Sequence, residues 1–244
     1  MKIKNHLPNF ITLMNLLAGV LAIHQVLMGD IKLAGALVFL AAILDFFDGL
    51  LARVLNARSA IGAELDSLAD IVSFGVAPSM ILFDTIRMTM EMDGMEMSYL
   101  PYIAFMVPLF SAYRLAKFNT DEEQHSSFKG LPTPATGILL ASFPIMIQVC
   151  LADNPGLYYD IVTNPYVLAA TAVAVSLLMV SNMPMFAMKF TTVSWGGNHM
   201  RYIFIILSVF LLILLKLAAI PLIVLTYLLL SIVSLFMDRP DKVD

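Results

Sequence analysis

An all-α membrane bundle of about eight helices is the fold class predicted by three features of this chain. Hydrophobic residues make up 60% of its 244 residues and charged residues only 13%, against about 25% charged in soluble domains. Apolar stretches of roughly bilayer length recur from one end to the other, as spans of roughly 20 residues require. Lys and Arg gather on alternate turns between those stretches, the mark of a chain threaded back and forth across a membrane.

The stretches run over residues 10–28, 33–51, 61–83, 99–118, 136–151, 167–183, 202–215 and 217–237. The first has no small-residue cleavage site after it and reads as a retained helix; its one internal amide, Asn15, suits either a hydrogen bond to a neighbouring helix or a contact to a ligand. The second ends in Asp45 and Asp48, and the third opens with Glu64, Asp66 and Asp70. The fourth ends in Arg114 and Lys117, and the fifth and sixth are nearly featureless. The last two are divided at Lys216 and Pro221, because one helix through both would be about twice the length a bilayer needs. No linker or low-complexity tract separates them, so residues 1–244 read as one membrane domain, with the chemistry in the N-terminal half and 136–237 as scaffold or dimer surface.

With eight spans both termini share a side, which then carries Lys2, Lys4, Arg53, Arg58, Arg114, Lys117, Lys129, Lys189, Arg201, Arg239 and Lys242. Only Lys32, Arg87 and Lys216 fall on the other. The positive-inside rule turns the termini and the acidic turn toward the cytoplasm, the arrangement of a cytoplasmic (inner) membrane protein. Nothing in the charge pattern implies a nucleic-acid partner. A single cysteine, Cys150, excludes an intrachain disulfide or a thiolate metal site. His6, His24, His125 and His199 show no metal-ligand spacing, and the alternating Met88, Met90, Met92, Met95 and Met97 read as a flexible apolar loop at the interface.

The chemistry concentrates in four aspartates. Asp45 and Asp48 are three residues apart and Asp66 and Asp70 four apart, so each pair occupies one helix face. The intervening turn centres near Ala57; Asp48 lies nine residues before it and Asp66 nine after, Asp45 twelve before and Asp70 thirteen after. In an antiparallel hairpin those pairs meet at matched depths, roughly 13 and 18 Å from the turn. A charge at bilayer depth costs on the order of 3 kcal/mol on insertion scales, and four anions that close need cations among them. Oxygen donors without His or Cys favour Mg, Mn or Ca over Zn, and paired divalent ions are a recurrent device for displacement at phosphorus. Gly49 and Gly62 would admit a ligand or a helix close to the backbone, and Arg53 offers a fork of donors to a phosphate. A cation transporter with an intramembrane carboxylate site is the rival reading, weakened by the lack of an internal repeat.

The string DFFDGLLARVLNARSAIGAELDSLAD, Asp45 to Asp70, fits D-x2-D-G-x2-A-R-x8-G-x3-D-x3-D and resembles the signature of the CDP-alcohol phosphotransferases at every fixed position. PNFITLMNLLAG (Pro8 to Gly19), RLAKFN (Arg114 to Asn119) and FKGLPTPA (Phe128 to Ala135) are similar to the phosphatidylserine synthase branch of that family. The resemblance implies transfer of the phosphatidyl group of CDP-diacylglycerol to the hydroxyl of L-serine with release of CMP. It implies a divalent cofactor, Mg or Mn and two ions, held by Asp45, Asp48, Asp66 and Asp70. Asp70 would also serve as the base toward the acceptor hydroxyl, Gly49, Ala52, Arg53 and Gly62 would shape the nucleotide and phosphate site, and a homodimer is implied. Sibling enzymes of the family use glycerol 3-phosphate, inositol or inositol phosphate. Serine is a zwitterion, so its pocket needs a cation for the carboxylate, for which Arg114, Lys117 and Lys129 are available, and an acceptor for the ammonium, for which Glu64, Asp121, Glu122 and Glu123 are candidates. Arg114 and Lys117 read equally as positive-inside anchors, and Lys129 as a contact to anionic headgroups.

Overall fold

The structure, a computed structural model, describes residues 6–57, 59–96, 98–120, 128–153, 156–185 and 198–237. Lys2, Lys4, Arg58, Lys189, Arg239 and Lys242, used above for orientation, lie outside the described residues, as do Met97, Asp121, Glu122, Glu123 and His125.

Helix α1 (Leu7–Leu27) opens with Pro8 in its first turn, where a missing N–H costs nothing. Gly29, at φ +81, reverses the chain, and Asp30 caps α2 (Ile31–Val54) by accepting from the Leu33 amide at 3.0 Å. The two helices pack along their length through Ala18, Ala22 and Val26 against Ala34, Val38 and Ala41, small residues that bring backbones close. Asn56 takes φ +49 in the next turn, a conformation asparagine tolerates. Ser59 then caps α3 (Ala60–Asp70), its Oγ accepting from the Gly62 amide at 3.1 Å.

Beyond Asp70 the helix continues without a break through a π-helical turn (Ile71–Val76) into α4 (Ala77–Met92). A wider turn shifts the helical phase, so Asp70 ends one face and Ser73, Phe74 and Gly75 begin a buried one. The Ser73 hydroxyl donates to the Asn15 carbonyl of α1 at 3.0 Å. A Cβ on Gly19 would sit 2.8 Å from the Ser73 Cα, and one on Gly137 2.8 Å from the Phe74 Cα. Glycine at both positions lets α1 and α6 (Thr133–Asp153) close on the π turn from two sides.

A 3-10 turn (Leu100–Phe105) leads into α5 (Met106–Thr120). After α6 come a short α7 (Leu157–Thr163), α8 (Pro165–Val180), α9 (His199–Leu215), a 3-10 turn (Lys216–Ala219) and α10 (Ile220–Met237). Two-residue strands β1 (Phe128–Lys129) and β2 (Pro184–Met185) pair antiparallel, Phe128 opposite Met185. One apolar cluster joins α1, α2 and the start of α4; another joins α4, α5, α6, α8, α9 and α10. Helix α6 serves both, with Ala141 in the first and Leu139, Leu140 and Phe143 in the second.

A helix stands over each predicted stretch, and the chain breaks at Lys216, which takes φ +52. Three differences have local causes. The third helix runs from 60 to 92, not 61 to 83, because the polar residues after Phe83 extend it as an amphipathic end stabilised by Arg87 pairing with Asp84 at 2.9 Å. The fourth stretch begins as a 3-10 turn with Pro101 in it. Helix α7 and the β1–β2 pair, too short for periodicity to register, were not expected. By length and composition α1, α2 and residues 60–92 are apolar enough to cross a membrane; 133–148, 165–180, 199–215 and 220–234 are apolar but shorter.

Candidate active site

Three helices build one cleft at the end of the bundle where α1 starts and α2 finishes. Asp48, Gly49 and Ala52 line it from α2; Gly62, Ala63 and Asp66 from α3; Pro8, Asn9 and Thr12 from α1, with Ala57 and Ser59 of the turn closing it, around a volume of about 200 Å³. The expectation of a two-helix hairpin does not hold: α2 and α3 do not pack along each other, and each packs on α1 instead, which forms the third wall and leaves the cleft open between them. A larger cavity, about 570 Å³, opens some 18 residues away along α2, beside Asp30, Lys32, Asp84, Arg87 and Glu91. There Arg87 pairs with Asp84 and Glu91 of its own helix, and among the described residues no metal-holding set of three carboxyl groups forms there.

In the small cleft one does. Carboxyl oxygens of Asp45, Asp48 and Asp66 lie within 4.8 Å of one another. Asp70 adjoins the same group, its charge interacting with those of Asp45, Asp48 and Asp66. Asp48 and Asp66 meet as the spacing expects, but Asp45 lies with them as well, so the close group is Asp45, Asp48 and Asp66 and not two separate pairs. The Thr12 hydroxyl, which donates to the Pro8 carbonyl at 3.1 Å, lies beside Asp48.

Asp48 Oδ2 and Asp70 Oδ1 are buried with no hydrogen-bond partner among the described residues. Carboxyl oxygens left that way are strongly destabilising unless a cation offsets them. All-oxygen donors with free lone pairs, converging within one cation's reach, fit a hard divalent ion. Asp45, Asp48 and Asp66 are the residues that would hold it, with Asp70 at the margin.

Gly49 and Gly62 differ. A Cβ on Gly49 would meet nothing within 4 Å, so no helix packs there and the missing side chain leaves cleft space. A Cβ on Gly62 would press on Asn9 Oδ1 and Ser59 Oγ, each at 3.1 Å. Arg53 does not line the cleft; its side chain is exposed and its Nε donates to the Gly49 carbonyl at 2.9 Å. Asn15 is 0% exposed and neither end of its amide has a partner among the described residues. It lies one turn deeper than Thr12 and is not part of the cleft lining.

Among the described acceptor-site candidates, Arg114 is the one whose charge interacts with the carboxyl cluster, through Asp70. Its Nη1 donates to Thr133 Oγ1 at 3.2 Å. Lys117 Nζ donates to Asn182 Oδ1 at 3.3 Å, tying α5 to the segment after α8. Lys129 lies in β1 opposite Pro184. Glu64 is exposed; two residues before Asp66 on a helix, it points away from the face that Asp66 and Asp70 share.

Sequence reasoning missed several neighbours. Asn9 and Thr12 lie in the Pro8 to Gly19 segment, Asn119, whose Nδ2 donates to Ser67 Oγ at 3.0 Å, in RLAKFN, and Thr133 in FKGLPTPA. Those segments were noticed as strings, but uncharged side chains gave no electrostatic reason to single them out. Tyr227 of α10, which the Arg114 charge reaches, carried no signal at all in an apolar stretch.

Comparison with known proteins agrees with this geometry. Residues 5–180 match the family model described as CDP-alcohol phosphatidyltransferase. The chain is 37% identical over 177 residues to a CDP-diacylglycerol–serine O-phosphatidyltransferase of Bacillus subtilis, covering 72% of this chain and 88% of that protein. It is 34% identical over 203 residues to the protein of that name from Helicobacter pylori, covering 82% and 79%. With the one from Mycobacterium leprae the identity is 32% over 211 residues, covering 84% and 65%. Three converging aspartates with a fourth at their margin, and a family match over most of the chain, lead to one assignment: the chain belongs to the CDP-alcohol phosphatidyltransferase family.

Proposed function

We propose that this chain transfers the phosphatidyl group of CDP-diacylglycerol to the hydroxyl of L-serine, giving phosphatidylserine and CMP. The observation that carries the reading is the convergence of Asp45, Asp48 and Asp66 within 4.8 Å, with Asp70 adjoining, in a cleft lined by Gly49, Ala52 and Gly62 of the same signature. The names of the curated relatives supply the acceptor.

The diacylglycerol tails remain in the bilayer and the cytidine diphosphate head enters between α2 and α3. Gly49 leaves room for it, Asn9 and Thr12 offer polar contacts from α1, and Arg53 swings from its helix onto a phosphate. Asp45, Asp48, Asp66 and Asp70 would hold the metal, two Mg or Mn ions, which would supply neutralisation of the charge on the pyrophosphate and the departing CMP. Asp70 accepts the proton of the serine hydroxyl as that oxygen bonds to the phosphorus bearing diacylglycerol, and the bond from that phosphorus to the CMP oxygen breaks. Positioning and electrostatics do most of the catalysis.

Serine's carboxylate docks on Arg114, the cation beside Asp70. Lys117 and Lys129 are further cations for that carboxylate, whereas Glu64, exposed and turned away, does not serve the ammonium; an unchanged serine KM in Lys129→Ala would remove Lys129 from the pocket. Asn15, buried one turn below Thr12 with both ends of its amide unpartnered among the described residues, is the further α1 group read as serving the nucleotide site. The same reading makes the chain a single membrane domain of eight spans in a cytoplasmic membrane, termini and cleft toward the cytoplasm, acting as a homodimer.

The test is CMP release by detergent-purified protein from CDP-diacylglycerol with Mg or Mn, offered L-serine, glycerol 3-phosphate, inositol or inositol phosphate in turn. Release only with serine is expected. Release with another acceptor instead would move the chain to a sibling activity, and release with none would overturn the enzyme reading.

A further inference from the structure

The segment Phe128 to Thr133 is held more firmly than a connecting loop requires. Phe128 and Lys129 pair with Met185 and Pro184. The Gly130 amide donates to the Met183 carbonyl at 2.8 Å and the Leu131 amide to the Leu178 carbonyl at 3.0 Å. Gly130 takes φ +76, and a Cβ there would collide with the carbonyls of Met179, Leu178 and Ser181. Leu131 is buried against the core, and Pro132 leads directly into Thr133, the first residue of α6 and 0% exposed. This tether, from the end of α8 to the start of α6, terminates in a hydroxyl whose recorded side-chain contact is Arg114 Nη1, at 3.2 Å.

Arg114 carries five donors in a rigid planar fork. Fixing one corner of that plane fixes the direction of the others. Its Nε is buried without a partner among the described residues, and its charge interacts with that of Asp70. We infer that Thr133, held by the Phe128 to Thr133 tether, is a positioning residue that aims the Arg114 guanidinium at the acceptor's carboxylate beside Asp70. This rests on the proposed transfer to serine. It assigns the tether a role in acceptor recognition exercised through Arg114, without contact between Thr133 and substrate. An acceptor with an anionic group next to its hydroxyl feels the loss of aim, whereas the CDP-linked donor, bound across the α2–α3 cleft, does not.

The experiment compares Thr133→Val, which keeps the shape and removes the hydroxyl, with Thr133→Ser, which keeps the hydroxyl. A hydrogen bond to a charged group is worth enough to change an affinity about tenfold or more. Thr133→Val is expected to raise the serine KM about tenfold while the CDP-diacylglycerol KM stays within about twofold, and Thr133→Ser is expected to restore the serine KM. In an Arg114→Lys background Thr133→Val should add nothing, because the two residues act as one unit. An unchanged serine KM in Thr133→Val, or equal losses toward both substrates, would overturn the inference even where wild-type protein uses serine. A wild-type protein that ignores serine fails the functional reading instead. Should Thr133→Val not fold, Thr133→Ala carries the same comparison, and failure of both to fold makes the hydroxyl structural and also overturns it.

Discussion

Gly49→Ala should make the protein more stable and less active, and the pairing of those two signs is what the cleft geometry demands. Gly49 lies inside α2, where glycine is about 0.5–1 kcal/mol worse than alanine because it loses more backbone freedom on folding. A methyl added there meets nothing within 4 Å, so no packing strain offsets the gain. At about 2–4 °C per kcal/mol for a chain of this size, thermal unfolding in detergent should shift upward by about 1–4 °C. The same methyl projects into a cleft of about 200 Å³. Crowding a close-fitting site typically costs about 1–3 kcal/mol, which corresponds to about 5- to 150-fold in kcat/KM for CDP-diacylglycerol. Unfolding temperature and CMP release are measured on the same preparation. A variant that keeps its activity, or loses activity only in step with stability, would refute the claim that Gly49 reserves space for the donor.

Gly19→Ala should behave in the opposite way, losing stability by about 1–3 kcal/mol, because its methyl meets Ser73 backbone at 2.8 Å; an unchanged melting temperature would show that α1 and the π turn are not tightly packed. Asp70→Asn should cut turnover by about 10²- to 10⁴-fold, the usual contribution of a general base, with donor binding retained; near-normal turnover would move the proton to another group. Chelation should abolish CMP release and lower thermal stability, both restored by Mg or Mn, since an ion at about 100 times its Kd stabilises by about 2.7 kcal/mol. In metal-free protein Asp48→Asn should raise stability, because it removes one buried carboxyl whose Oδ2 has no partner. Equal melting temperatures for the two proteins after chelation would mean that Asp48 is not an uncompensated charge.

What the sequence by itself determined was whatever depends on periodicity and spacing along one stretch of chain. The helical segments follow from apolar runs, and the break before α10 from Lys216 and Pro221. The convergence of Asp48 with Asp66 follows from equal residue counts on either side of a turn at Ala57, because a helix converts residue number into depth at a fixed rise, and Asp45 joins them from one turn deeper on the same face as Asp48. What the tertiary structure alone decided concerns contacts between segments far apart in sequence. That α1 is the third wall of the cleft depends on Gly19 admitting Ser73, and that Arg114 faces Asp70 while Glu64 and Arg53 point elsewhere depends on how α5 and α6 dock. Tyr227 and Thr133 could not be singled out because an uncharged side chain in or beside an apolar run looks like every other core residue until its neighbours are placed. Spacing encodes local geometry directly, whereas the partner of a buried polar group is set by side-chain packing across the whole bundle.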